Sequence, residues 1–319
     1  MTKTYEGGGP LAEVVRSGFV EGVHRGSVVV LDAAGAPVAG AGDGISPIFP
    51  RSASKPLQTL GMLRAGLAAT DPADVALVSA SHAGEEFHLA RVAALLRSAG
   101  LDPAALHCPP DLPFGEAARE AVLRAGGGPS RLAMNCSGKH AGMLLTCLAA
   151  DWPLDGYWRP EHPLQRRLTA TIEELTGERA AAVGVDGCGA PVLAVSLTGL
   201  ARAFLRLVTA EPGSPERTVA DAMRTHPELV GGTGADDTRL MRGVPGMLAK
   251  IGAEGVLAAA LPGVGAVALK IDDGATRARM PVLVSGLRRL GVQAPVLTEY
   301  AELPLLGGGL PVGAVRPVW

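Results

Sequence analysis

The hydrophobic pattern of the chain alternates between short extended runs and longer helical stripes. Val20 to Leu31 ends in Gly26-Ser27-Val28-Val29-Val30-Leu31 and reads as a strand. Asp32-Ala33-Ala34-Gly35 supplies turn residues, and Pro37 to Gly40 can return as a second strand. Pro47 to Pro50 reads as a loop. A helix is predicted from about Ser52 through Ala65, with Leu57, Leu60 and Leu63 on one side. Val75 to Ser79 is a short apolar run that fits a buried strand or a helix. His88 to Ser98 places Leu89, Val92, Leu95 and Leu96 at helical spacing, and Leu101 to Pro113, with four prolines, is a loop. Gly138 to Ala150 fits a buried helix. Pro163 to Leu175 carries the stripe Leu164, Leu168, Ile172, Leu175. Val192 to Val208 reads as one long apolar helix and Thr218 to Thr225 as a short one. Gly255 to Leu261, Pro262-Gly263 and Gly265 to Ile271 form a β-hairpin pattern, followed by a helix over Ala275 to Leu290.

Strands at both ends with helices between them predict an α+β fold with one mainly antiparallel sheet flanked by helices. No repeat or linker interrupts the pattern, so residues 1–319 are expected to form one domain, with room for a helical subdomain around 85–215. Composition narrows the class. Hydrophobic residues make up 47% and charged residues 19%, which supports a sizeable core. Aromatics are only 3%, so the core rests on Ala, Val and Leu, and base-stacking platforms are scarce. A net charge of -2 lacks the basic face of a nucleic-acid binder. Residues 1–9 have no signal-peptide core. The most apolar long stretch, Val192 to Ala210, carries Arg202 and Arg206, so no membrane span is expected. The four cysteines, at 108, 136, 147 and 188, form no CxxC pair or disulfide framework. These features predict a cytoplasmic protein with reduced thiols.

Several segments carry reactive side chains. Arg51-Ser52-Ala53-Ser54-Lys55-Pro56 contains Ser-x-x-Lys, in which one helical turn brings Lys55 within reach of Ser52; a serine hydroxyl needs such a base to act as a nucleophile. Ser-x-x-Lys also occurs by chance. Ser81, His82, Glu85 and His88 follow a short apolar run; they could serve acid–base chemistry or substrate binding, or simply cap the next helix. Asn135-Cys136-Ser137-Gly138-Lys139-His140 and Asp186-Gly187-Cys188-Gly189 each place a cysteine in a polar, glycine-bearing segment. Two cysteines with a nearby lysine or histidine can hold zinc, although a lone cysteine is commonly a small buried hydrophobe, the reading that suits Cys108 and Cys147. Lys270, in Leu269-Lys270-Ile271-Asp272-Asp273-Gly274, is either a cleft lysine or an edge-strand guard.

Taken together, the Arg51–Pro56, Ala80-Ser81-His82, Asn135–His140, Asp186-Gly187-Cys188, His226-Pro227-Glu228 and Lys270–Gly274 segments resemble, in order, the rhizobial-type L-asparaginase II family. The resemblance spans roughly residues 20 to 290. It implies a fold like the serine β-lactamases, penicillin-binding proteins and one glutaminase family. It further implies two serine–lysine pairs, Ser52 with Lys55 and Ser81 with Lys270, and a zinc position at Cys136, Lys139 and Cys188 near Asp186. For asparagine as substrate, Arg51 is the candidate for the carboxylate, Asp186 or Glu85 for the ammonium, and His140 a further binding residue. The expected partners are this small molecule and a second copy in a homodimer. The alternatives are a Ser-x-x-Lys acyl-transferase or esterase, for which the Ser-x-Asn and Lys-Thr-Gly motifs are missing, and a non-catalytic zinc-stabilised binding module.

Overall fold

The computed structural model describes residues 4–68 and 71–319. Strand β1 (Gly9–Arg16) turns through Ser17 and Gly18, both left-handed, into the 14-residue β2 (Phe19–Asp32). Gly26 to Leu31 of β2 are all buried, so this part of the strand is covered on both faces. Asp32 closes the next turn by accepting from the backbone N–H groups of Ala34 and Ala36, each at 2.9 Å. β3 (Pro37–Ala41) then runs back along β2.

The middle of the chain is mostly helical: β4 (Pro47–Ile48), α1 (Lys55–Arg64), α2 (Pro72–Val78), α3 (Glu86–Ser98), α4 (Glu116–Arg124), α5 (Ser137–Ala149) and α6 (Pro163–Thr176). There follow β5 (Val183–Val185), β6 (Pro191–Leu193), β7 (Val195–Ser196), α7 (Leu197–Thr209), α8 (Pro215–Thr225), α9 (Pro227–Val230) and α10 (Asp236–Gly243). The chain finishes with β8 (Leu248–Ile251), β9 (Val256–Leu261), β10 (Gly265–Ile271), α11 (Arg279–Arg289), α12 (Pro295–Tyr300), β11 (Leu303–Gly307) and β12 (Leu310–Pro317).

The main sheet runs β11-β12-β1-β2-β10-β9-β8, with β3 added to β2, and every pairing in it is antiparallel. The expected α+β class is therefore observed, and the first strand pairs with the last. Alternate residues of β2 reach opposite faces. Val29 lies against Gly44 beside Thr198 of α7, whereas Val30 and Val267 lie against Gly286 of α11. A Cβ at position 286 would meet Val267 at 2.9 Å, so that helix sits close only because the residue is glycine. One hydrophobic cluster joins this sheet to its helices. A second, from Met62 to Ala190, fills the helical layer and includes all four cysteines, which are free and buried.

Several element readings need correction. Val192 to Val208 is not one helix: Pro191–Leu193 and Val195–Ser196 are strands, and α7 starts only at Leu197. There the Ser196 hydroxyl accepts from Gly199 N at 2.9 Å as an N-cap, and the β-branched Val192 and Val195 before it suit extended backbone. Pro47–Ile48, read as loop, pairs with β7. The helix expected from Ser52 begins with a 3-10 turn, Arg51–Ser54. Among the described residues no helix is long and apolar enough to cross a membrane.

Candidate active site

The 3-10 turn is dictated locally. Pro56 has no N–H to give to Ser52 O, so Lys55 N makes that bond instead, and α-helix follows from there. Arg51 enters the turn with φ +51°, a left-handed conformation uncommon for a side chain of this size. Ser52 is half-buried, while every residue from Ala53 to Met62 is buried.

Lys55 is 1% exposed. Its Nζ donates to Ser81 Oγ at 2.8 Å and to the carbonyl oxygen of Ala80. The loop carrying Ser81 is tied in place by Ser81 N to Val230 O and His82 N to Asn135 O, each 3.2 Å. The pairing differs from the one expected. Among the described residues no side-chain hydrogen bond joins Ser52 to Lys55 or Ser81 to Lys270; the serine hydroxyl that a lysine amine touches is Ser81, and the amine is that of Lys55. Lys270 Nζ instead donates to Glu254 O at 2.9 Å and Ile271 O at 3.3 Å. Burial draws its amine below the ordinary lysine value, against the opposing pull of Asp272, Glu254 and Asp273.

The two cysteine segments meet. Cys136 precedes α5 and Lys139 lies in its first turn, fully buried. Lys139 Nζ donates to Cys188 Sγ at 3.1 Å across 49 residues of sequence. The adjacent Cys136 thiol and the Lys139 ammonium hold Cys188 far below the usual thiol range, whereas Cys188 and burial push Cys136 well above it. Burial works against the Lys139 charge, but Cys188, Cys136 and Asp186 outweigh it and raise the amine. Among the described residues no group of three His, Cys, Asp or Glu side chains is arranged to hold a metal, so a zinc site here depends on Lys139 as a ligand.

The remaining expected residues are distributed around this centre. Arg51 Nε donates to Asp186 Oδ1 at 2.7 Å, and Gly187 N donates to the same oxygen at 2.9 Å. Glu85 holds a neighbouring loop, its Oε1 accepting from Thr233 N at 2.7 Å. His140 is buried in α5, with Nδ1 2.7 Å from Tyr157 Oη; burial lowers its imidazole, and the neighbouring Cys188 opposes that shift. Next to the 3-10 turn lies a cavity of about 390 Å³ whose walls include Thr4, Tyr5, Phe49, Arg51, Glu254 and Lys270. Tyr5 and Glu254 gave no signal in the sequence, because one is in the N-terminal segment and the other in an ordinary-looking Ala-Glu-Gly turn.

His82 lies wholly buried behind this centre. Ser137 Oγ gives its one proton to Leu132 O, so His82 Nε2 must donate to Ser137 Oγ at 2.8 Å, which leaves Nδ1 as a buried acceptor with no partner among the described residues. Burial holds His82 well below the ordinary histidine value and also lowers His88. Unfolded histidine titrates near about 6.5, so below that pH the unfolded chain takes up protons that the folded one refuses. Stability is therefore complete above that pH and falls below it, with a limiting slope of about 1.4 kcal/mol per pH unit for each histidine that stays neutral. Urea midpoints at pH 7.5 and 5.5 test this; equal midpoints would refute it.

Comparison with known proteins completes the description. No curated protein sequence matches the chain. Among solved structures, the protein named Mglu in its native form is 16% identical with a TM-score of 0.43, over 82% of this chain and 63% of that one. The chain thus spans less than two thirds of Mglu. A protein from Bacteroides dorei DSM 17855, described as a candidate beta-lactamase, is 13% identical with a TM-score of 0.44, over 91% and 95% of the two chains. The sequence model of L-asparaginase II matches residues 12–317. With nearly its whole length matched, this chain belongs to the L-asparaginase II family of amide hydrolases.

Proposed function

We propose that the protein hydrolyses the side-chain amide of L-asparagine to aspartate and ammonia through an acyl-enzyme on Ser52. The observation that carries this reading is the buried contact of Lys55 Nζ with Ser81 Oγ, one 3-10 turn after Ser52. A neutral lysine amine has two hydrogens and one lone pair. An amine that had given up its proton would still satisfy both acceptors, Ser81 Oγ and Ala80 O, and keep a lone pair for an incoming proton. Ser52 Oγ attacks the amide carbon and gives its proton to Lys55. Ser81 passes a proton from Lys55 to the departing nitrogen, the C–N bond breaks, and ammonia leaves. Water then attacks the ester, with Lys55 again accepting a proton, and aspartate is released as Ser52 Oγ is reprotonated.

The test is ammonia release from asparagine, glutamine, propionamide and a β-lactam chromogen. Asparagine is expected to exceed propionamide by about a hundredfold or more in kcat/KM, because propionamide leaves the charged cavity groups unpaired. Equal rates would remove the amino-acid reading, and turnover of the β-lactam alone would favour a general acyl-transferase.

Cys136, Lys139 and Cys188 fit a zinc ion by their chemistry: two sulfur donors and one nitrogen lie together in the buried interior, provided Lys139 gives up its proton. Zinc would supply a cross-link between the two loops and an electrophilic position beside them. Since serine and lysine already provide nucleophile and base, its removal is expected to act on binding. Chelation should raise KM for asparagine about tenfold and lower kcat by less, with Cys136→Ala and Cys188→Ala behaving alike. Complete loss of turnover in folded, zinc-free protein would instead make the metal catalytic. An unchanged KM with no zinc by elemental analysis would remove the metal altogether.

A further inference from the structure

Amino-acid recognition needs an acceptor for the α-ammonium, and both acids expected for that task are committed elsewhere. Asp186 Oδ1 accepts from Arg51 Nε and Gly187 N, and its side chain is 12% exposed. Glu85 Oε1 accepts from Thr233 N, at a loop that does not line the cavity. Among the described residues Glu254 is the acid that lines it. Its carboxylate accepts no hydrogen bond among the described residues; its nearest cation is Arg51 Nη1, 3.8 Å away, and the side chain is 63% exposed. Among the described residues the cavity therefore presents one carboxylate, one guanidinium and one lysine amine, from Glu254, Arg51 and Lys270.

The position of Glu254 is built rather than incidental. It occupies the β8–β9 turn with φ +58°, and Arg51 opposite has φ +51°, two of the few non-glycine residues in left-handed backbone. The turn is pressed against the serine segment: a Cβ on Gly252 would lie 2.4 Å from Pro50 O. Lys270 Nζ grips the turn from the other side through Glu254 O at 2.9 Å. Tyr5 covers the far wall, its hydroxyl donating to Asp272 Oδ1 at 2.6 Å. The backbone that carries Glu254 is thus held against the turn leading to Ser52, with the carboxylate 3.8 Å from Arg51 Nη1.

We propose that Glu254 receives the α-ammonium of the substrate while Arg51 receives its α-carboxylate, so that Glu254 selects α-amino acids over deaminated acids. This rests on the asparaginase reading above. The experiment compares wild type and Glu254→Gln, which keeps the size of the side chain and removes its charge. Two ratios are measured: kcat/KM for asparagine over succinamate, which lacks only the α-amino group, and calorimetric affinity for L-aspartate over succinate. Both preferences are expected to fall about tenfold or more in the variant. If wild type hydrolyses asparagine and the variant keeps its preference, Glu254 is not the selector although the function stands. If wild type leaves asparagine intact yet prefers L-aspartate to succinate, and the variant loses that preference, the function falls and the subsite stands. No preference by wild type in either measurement overturns both.

Discussion

Ser52→Ala is expected to lower kcat for asparagine by about three powers of ten or more, with the fold and the aspartate affinity retained, since a reacting hydroxyl and no packing is lost. Ser52 is half-buried and directly follows Arg51, which lines the cavity, whereas Ser81 is 5% exposed and already bonded to Lys55, so Ser52 is the more accessible hydroxyl of the two. Ser81→Ala also takes away the acceptor of a buried amine, so a loss of rate in that variant alone identifies nothing. The separating measurement is mass spectrometry of a trapped acyl-enzyme. A mass increment on the peptide containing Ser52 supports the assignment. An increment on the Ser81 peptide, or near-normal turnover by folded Ser52→Ala, transfers the nucleophile to Ser81, with Lys55 as its immediate base.

The sequence carried the helical stripes and the central strands well because each buries a regular face: Leu164, Leu168, Ile172 and Leu175 of α6 are all buried, as are Val28 to Leu31 of β2. Periodicity was weaker where an element is short or solvent-facing. β1 and β12 pair with each other from opposite ends of the chain, and neither shows a run long enough to read alone. α4 has no buried residue, so no apolar stripe announces it. The reactive segments were legible as residue types in unusual company, and the fold brings two of them together where Lys139 Nζ meets Cys188 Sγ. Which serine each lysine touches was not legible. Three-residue spacing permits a Ser52–Lys55 contact, but the long lysine side chain turns toward Ala80 and Ser81, a choice fixed by a loop 25 residues away. Glu254 was invisible for a related reason: its importance comes from Gly252 packing on Pro50 and from the grip of Lys270, both long-range contacts.

A lysine within the apolar run Leu248-Ala249-Lys250-Ile251 is the overlooked signal with the largest structural consequence. Lys250 and Asp237 are both wholly buried, with Nζ 2.8 Å from Oδ2, while Asp237 Oδ1 accepts from Ile251 N at 2.8 Å. Burial lowers the Lys250 amine and Asp237 opposes that shift. An ion pair taken from water to this depth can barely repay its own desolvation, but removing one partner leaves the full penalty on the other. Asp237→Ala is therefore expected to cost about 3–5 kcal/mol, seen as a Tm lower by roughly 10 °C. Lys250→Met combined with Asp237→Leu should recover most of the loss, because no charge is then stranded. The damage should also reach the site. β8 leads into Gly252 and Glu254, so Asp237→Ala should weaken the preference for asparagine over succinamate at temperatures where the protein remains folded. A loss below about 1 kcal/mol would mean that water or a shed proton already relieves Lys250. A full loss of stability with the substrate preference intact would separate the ion pair from the cavity it stands behind.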